Sequence, residues 1–182
     1  DADAEEGPPY EVELAPFLIA KHEMDQAHWW NCFADAPSSS RVNTDIGATL
    51  VTWLHPVETV SWRDATLAMR RLELALPTEA QWEYAARGGG VGPSGEANFR
   101  DGDAWLTPSP VGKFGANGFG LHDVFGNVAE WCQDRKEPLS VPARVGDGLR
   151  DLGGSLMRVA RGGSYLDSAD LPHLTRRHAE HE

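Results

Sequence analysis

The cysteines and histidines of this sequence are few and scattered, and their spacing narrows the chemistry they could do. The two cysteines, Cys32 and Cys132, are far apart and each lies close to a tryptophan, in Trp30-Asn31-Cys32 and Trp131-Cys132. Two thiols are too few for a disulfide framework, and neither lies in a Cys/His cluster of zinc spacing. Buried, inert thiols are expected, and only geometry decides whether they pair. His22, His28, His55 and His122 are scattered and read as surface or satisfied core histidines. Asp1, Asp3, Glu5, Glu6, Glu11 and Glu13 suit a cation, but a solvated lead-in over residues 1–9 is the simpler expectation. Beyond Tyr165 come Asp167, Asp170, His173, Arg176 and Arg177. Such a mixed-charge surface recognises a partner, yet it holds no acid–base pair at an obvious spacing.

The elements that must position these groups are legible in part. Tyr10, Val12 and Leu14 alternate with Glu11 and Glu13, the pattern of a half-buried strand. Phe17 to Ala20 is a short apolar run and reads as a second strand, and Leu50 to Trp53 as a third. Asp25 caps a predicted helix from Gln26 to Ala34 whose Trp29, Trp30 and Phe33 share one face. Ser61 with Asp64 opens a second helix, and Thr78 with Gln81 makes a capping box for a third, stopped by Gly88-Gly89-Gly90. Residues 91–128 are rich in Gly, Asn, Asp and Pro and lose the helical period. A long ordered stretch of that kind is commonly held by bound cations. Residues 136–157 read as a loop, and 158–165 as a strand entering a glycine bend. Helices first and strands later suit α+β rather than alternating βαβ units.

The chain has 182 residues and a formal net charge of −12. That charge excludes non-specific nucleic-acid binding and anionic membrane surfaces, both of which need a basic face. A mean hydropathy of −0.43 and the lack of any apolar run near the roughly 20 residues of a membrane span place it among water-exposed globular chains. The sequence starts without Met or a signal-like segment and is expected to be a fragment or a mature form, its compartment unspecified.

Five phrases, in order, carry a resemblance. They are Phe17 to Met24 (FLIAKHEM), Pro56 to Ala65 (PVETVSWRDA), Leu76 to Gly89 (LPTEAQWEYAARGG), Asn117 to Trp131 (NGFGLHDVFGNVAEW) and Arg161 to Tyr165 (RGGSY). Together they resemble the formylglycine-generating enzyme, or sulfatase-modifying factor, family. The resemblance implies an α+β fold of the C-type-lectin-like kind: small twisted antiparallel sheets, packed helices and much irregular structure, over residues 10–182. The closing Gly-Phe-Arg strand of the family is expected to be missing.

In the family's oxidases two cysteines follow the Gly-Gly-Ser-Tyr bend and bind copper(I), an ion that selects soft thiolates. Asp167 and Pro172 stand at those positions here, so no copper is expected. The tryptophan that usually precedes Glu-Trp is Ala129. By the same resemblance, structural calcium would be held by Asn98 and Asp103 with the carbonyls of Phe99 and Trp105. A second set would be Asp123 and Glu130 with the carbonyls of Gly126 and Val128. Turn-forming roles for Asp103 and Asp123 are the simpler alternative. The family's pocket would fall on Ser164, Tyr165, Asp167, Asp170, His173, Arg176 and Arg177. The expected function is a non-catalytic recognition or accessory domain, of the variable-protein or pseudoenzyme kind, presenting residues 165–178 to a protein or small molecule and fused to or associated with other domains. The alternative is an oxidoreductase-like enzyme, formylglycine-generating or nonheme-iron, with non-cysteine ligands such as Asp167, His173 and His178.

Overall fold

A computed structural model describes residues 11–90, 97–100, 105–169 and 177–181. Three short helices come first: α1 (Gln26–Phe33), α2 (Trp62–Arg71) and α3 (Glu79–Ala86). Each starts where a side chain satisfies backbone N–H groups that the first turn leaves unpaired. The Asp25 carboxylate accepts the His28 N–H at 2.8 Å. The Ser61 hydroxyl accepts the Asp64 N–H at 3.1 Å. Thr78 and Gln81 form the reciprocal capping box at the start of α3. α1 ends one residue before Asp35, at Ala34 in the left-handed conformation.

A two-residue hairpin pairs β1 (Asp45–Ile46) with β2 (Thr49–Leu50). The main sheet has three antiparallel strands in the order β3 (Glu130–Arg135), β4 (Met157–Arg161) and β5 (His178–His181). α3 packs on β3 and β4, and Trp82, Ala85, Ala86, Leu121, Val124, Cys132 and Val159 form the core between them. The α+β expectation holds, with small sheets and long irregular stretches.

Two expectations need correction, and one strand is added. Leu14 makes only an isolated bridge to Gly146, and residues 15–20 form no strand. The Leu50–Trp53 strand shrinks to Thr49–Leu50. The polar tail contributes β5, because its backbone pairs with Met157 to Ala160 whatever its side chains are. Cys32 and Cys132 do not pair; both are free, and Cys132 is fully buried.

Beneath the sheet lies a buried ion network. Glu79, in the first turn of α3, accepts hydrogen bonds from Arg161 Nη1 at 3.0 Å and Arg177 Nε at 2.7 Å. Arg150 Nη1 lies 3.7 Å from its other oxygen. Asp134, from β3, accepts the N–H of Glu79 at 2.7 Å and of Arg150 at 2.9 Å. Burial pushes the Asp134 carboxyl up to about 6.

Candidate functional site

The strand β4 runs into Gly162 and Gly163, both at positive φ. Gly162 is pressed against Trp82: a Cβ there would lie 3.3 Å from the indole. The chain then knots on itself. Ser164 donates its N–H and its hydroxyl to Asp167 Oδ2, at 2.8 and 3.0 Å. The Asp167 N–H returns to the Ser164 carbonyl at 3.0 Å, and the Asp167 carbonyl accepts from Arg100 N. Tyr165 N–H donates to the Asn127 carbonyl at 2.9 Å. Burial, and next the charge of Glu58, raise the Tyr165 hydroxyl pKa. One oxygen of the Asp167 carboxylate, Oδ2, is thus committed to the bend.

Arg177 was expected on the binding surface. Its side chain is instead 4% exposed, held by Glu79 and by the Glu137 carbonyl at 2.8 Å. The sequence offered no sign of this, since its partner lies 98 positions away. Asp170, His173 and Arg176 fall outside the described residues, as does Asp103.

The two expected cation sets meet in space. Asn98 bridges Gly126, and the Asn127 N–H donates to the Asn98 carbonyl at 3.0 Å. Asn98 is fully buried, and its Nδ2 donates to the Thr107 carbonyl at 2.9 Å and to Asn127 Oδ1 at 3.2 Å. Its Oδ1 has no partner among the described residues, an orphan acceptor that suits a cation. Phe99 is buried beside Gly126, whereas the Trp105 ring meets His55 edge-on at 6.5 Å. Asp123 holds a positive φ, and its carboxylate accepts the N–H of Gly112 at 2.5 Å and of Phe114 at 3.3 Å. It therefore serves as a turn residue, although each oxygen keeps a second lone pair. Among the described residues no three His, Cys, Asp or Glu side chains gather as a metal cluster, so carbonyls would have to complete any site. Gly126→Ala is expected to destabilise by at least about 2 kcal/mol, since φ is 74° and the new methyl would sit 2.2 Å from the Asn98 carbonyl oxygen. Urea unfolding measures it; a loss below about 0.5 kcal/mol would mean the two segments do not abut.

Glu23 is the residue the sequence reading passed over. Its carboxylate accepts from Val128 N at 3.1 Å and Asn127 Nδ2 at 2.6 Å, across more than a hundred positions. Burial, and next the Glu130 charge, push its pKa well above the usual carboxylate range. Burial raises Glu130 to about 7 despite a hydrogen bond with the Trp82 side chain. It also raises Asp123. Both Glu23 and Glu130 line a cavity of about 700 Å³ between α2, α3, β3 and residues 17–25, and Ala129 is part of its wall.

This lectin-like scaffold, with its Gly-Gly-Ser-Tyr bend and paired Asn98 and Gly126 segments, belongs to a known class. The sulfatase-modifying factor enzyme 1-like domain matches residues 1–182, so the chain is a member of that family. It is 42% identical over 152 residues to a formylglycine-generating enzyme of Mycobacterium tuberculosis, covering 67% of this chain and 50% of that protein. It is 33% identical over 166 residues to inactive C-alpha-formylglycine-generating enzyme 2 of Mus musculus, covering 81% of this chain and 49% of that protein. The chain thus spans about half the length of these relatives. Treponema denticola variable protein 1 has the same fold, with a TM-score of 0.82 at 24% identity over 100% of this chain and 84% of that one.

Proposed function

We propose that this domain is a non-catalytic recognition or accessory module on the formylglycine-generating scaffold, presenting the turn after Tyr165 to a protein or small molecule. The observation that carries this reading is the state of Asp167. It stands where the family's oxidases have their first copper thiolate, and its carboxylate closes the bend through Ser164. Cys132, one of the two thiols, is fully buried, and burial pushes its pKa well above the ordinary value. A protonated, enclosed thiol is neither a metal ligand nor a nucleophile. The relative whose name describes an inactive enzyme supports the same reading. Ser164 and Asp167 fix the start of this surface, and Arg177 is anchored in the core.

Calcium is proposed as the structural ion. The orphan Asn98 Oδ1 supports the first set, and the burial that raises the Asp123 and Glu130 carboxyls supports the second. Its role would be to fasten the irregular stretch.

The test is incubation of the purified protein with copper(I), oxygen and a cysteine-containing peptide, followed by mass spectrometry. The expected result is an unchanged peptide, for the wild type and for Asp167→Cys alone, since one thiolate does not make a pair. Formylglycine in the wild-type reaction would establish the oxidase instead.

A further inference from the structure

Residues 16–20 have the side-chain pattern of a strand and no strand beside them. The chain is pinned at both ends of this stretch. The Ala15 N–H donates to the Gly146 carbonyl at 2.7 Å, and the Lys21 carbonyl accepts the His122 N–H at 3.0 Å. Between these anchors Phe17 meets Tyr84 edge-on at 6.1 Å, and Ile19 packs on the core. Leu18 and Ala20 are exposed, Leu18 completely. That is the period-two alternation of a half-buried strand. Yet among the described residues no backbone hydrogen bond reaches residues 16–20. Backbone groups of ordered protein are nearly always paired, and an unpaired row beside an apolar face is a template for another strand.

The cavity of about 700 Å³ adjoins this row. Residues 17–20 stand in its wall with Met69, Leu72, Leu74, Leu76 and Trp82. Leu18, Leu72, Leu74 and Ala129 are exposed members of that wall, so the cavity opens to the surface as a groove. A small apolar ligand would fill the groove and leave the backbone row unpaired. An extended peptide meets both needs, because its main chain pairs while alternate side chains enter the cavity. Charge selects its source. The chain carries −12, so a second copy is repelled. Two exposed acids, Glu11 and Glu13, precede the row and one exposed base, Lys21, follows it, which favours a segment with a basic flank.

We propose that this groove receives an extended segment of another protein, added as a β-strand beside residues 16–20, with apolar side chains at alternate positions in the cavity and basic residues at its flank. The site is separate from the turn after Tyr165 and does not depend on how that turn is used.

The experiment titrates the protein with a short peptide of alternating valine and threonine flanked by lysines, read by fluorescence of Trp82 and Trp131, which both line the cavity. Hydrogen exchange follows the Leu18, Ile19 and Ala20 amides, which are expected to exchange fast in the free protein and to become protected in the complex. An analogue N-methylated through its valine–threonine core keeps the charge and loses the ladder, and is expected to bind at least about tenfold weaker. Glutamate flanks in place of lysine are expected to weaken binding about threefold or more at low salt. Ala129→Trp adds bulk at the mouth and is expected to weaken the lysine-flanked peptide at least about tenfold. Equal binding of the methylated analogue would show attraction to net charge alone and overturns the proposal, as does a peptide that binds without protecting these amides or does not bind. Amides already protected without peptide, in dilute or concentrated protein, would assign the strand's partner to this chain itself and overturn it too.

Discussion

Replacing Glu79 with alanine is expected to cost the domain about 3–5 kcal/mol, the loss seen when one partner of a buried ion pair is removed. Small domains have only about 5–15 kcal/mol in hand, so the variant should unfold at a much lower urea concentration, or fail to accumulate. The reason is local. Glu79 is 2% exposed and is approached by three arginines. Arg161 and Arg177 donate to one oxygen at 3.0 and 2.7 Å, and Arg150 sits 3.7 Å from the other. Without the carboxylate, three buried guanidinium groups lose the acid they share, and the neighbouring Asp134 is already raised by burial. Glu83 provides the control. It too binds Arg161, at 2.9 Å, but its side chain is 34% exposed. Glu83→Ala should cost about 1 kcal/mol or less, because water replaces what is lost. Equal losses in the two variants would sink the idea that burial gives Glu79 its weight. Arg177 leads directly into β5, so Glu79→Ala should loosen β5 before it melts the helices. Hydrogen exchange at Ala179 and Glu180, in β5, measures this.

Whether an element was legible depended on where its information lay in the chain. The helices were readable because their stop and start signals are local: Asp25, Ser61, and Thr78 with Gln81 sit within three residues of the groups they cap. β3 gave no such sign. Its buried positions are Cys132 and Asp134, and an acid at an inward position breaks the apolar alternation. Asp134 is tolerated there only because the Glu79 and Arg150 amides, 55 and 16 positions away, donate to it. β5 is polar for a similar reason: strand pairing with β4 is a backbone matter. The same logic explains the site. Asn98, Asp123 and Glu130 were named only through the family resemblance. Glu23 lay inside a quoted phrase, yet its partners Asn127 and Val128 are more than a hundred positions off. Arg177 looked like surface because charged residues usually are, and only the fold brings it to Glu79.

Acidification in chelator is expected to stabilise the domain, and Glu130→Gln should remove much of that dependence. Burial holds the Glu130 carboxyl at about 7 in the folded state, against 4.5 ordinarily. A raised acid binds its proton more tightly folded than unfolded. Below pH 4.5 the group is protonated in both states and contributes nothing. As pH rises from there toward 7, the unfolded chain ionises freely while the folded one resists, so stability falls. Above 7 the penalty is fully present, at most about 3 kcal/mol from the gap between the two values. Glu23, Asp123 and Asp134 are raised as well and tilt the wild type in the same direction. The wild-type melting temperature should therefore be several degrees higher at pH 5.5 than at pH 8. Glu130→Gln should gain about 3 kcal/mol at pH 8 and about 1 kcal/mol at pH 5.5, leaving a shallower slope. Calcium bound at the second set would act on the same charge, so saturating calcium should flatten the wild-type curve and leave the variant's unchanged. A wild-type melting temperature that climbs from pH 5.5 to 8 in chelator would contradict the buried-acid account. A variant that responds to calcium as the wild type does would remove Glu130 from the cation's ligands.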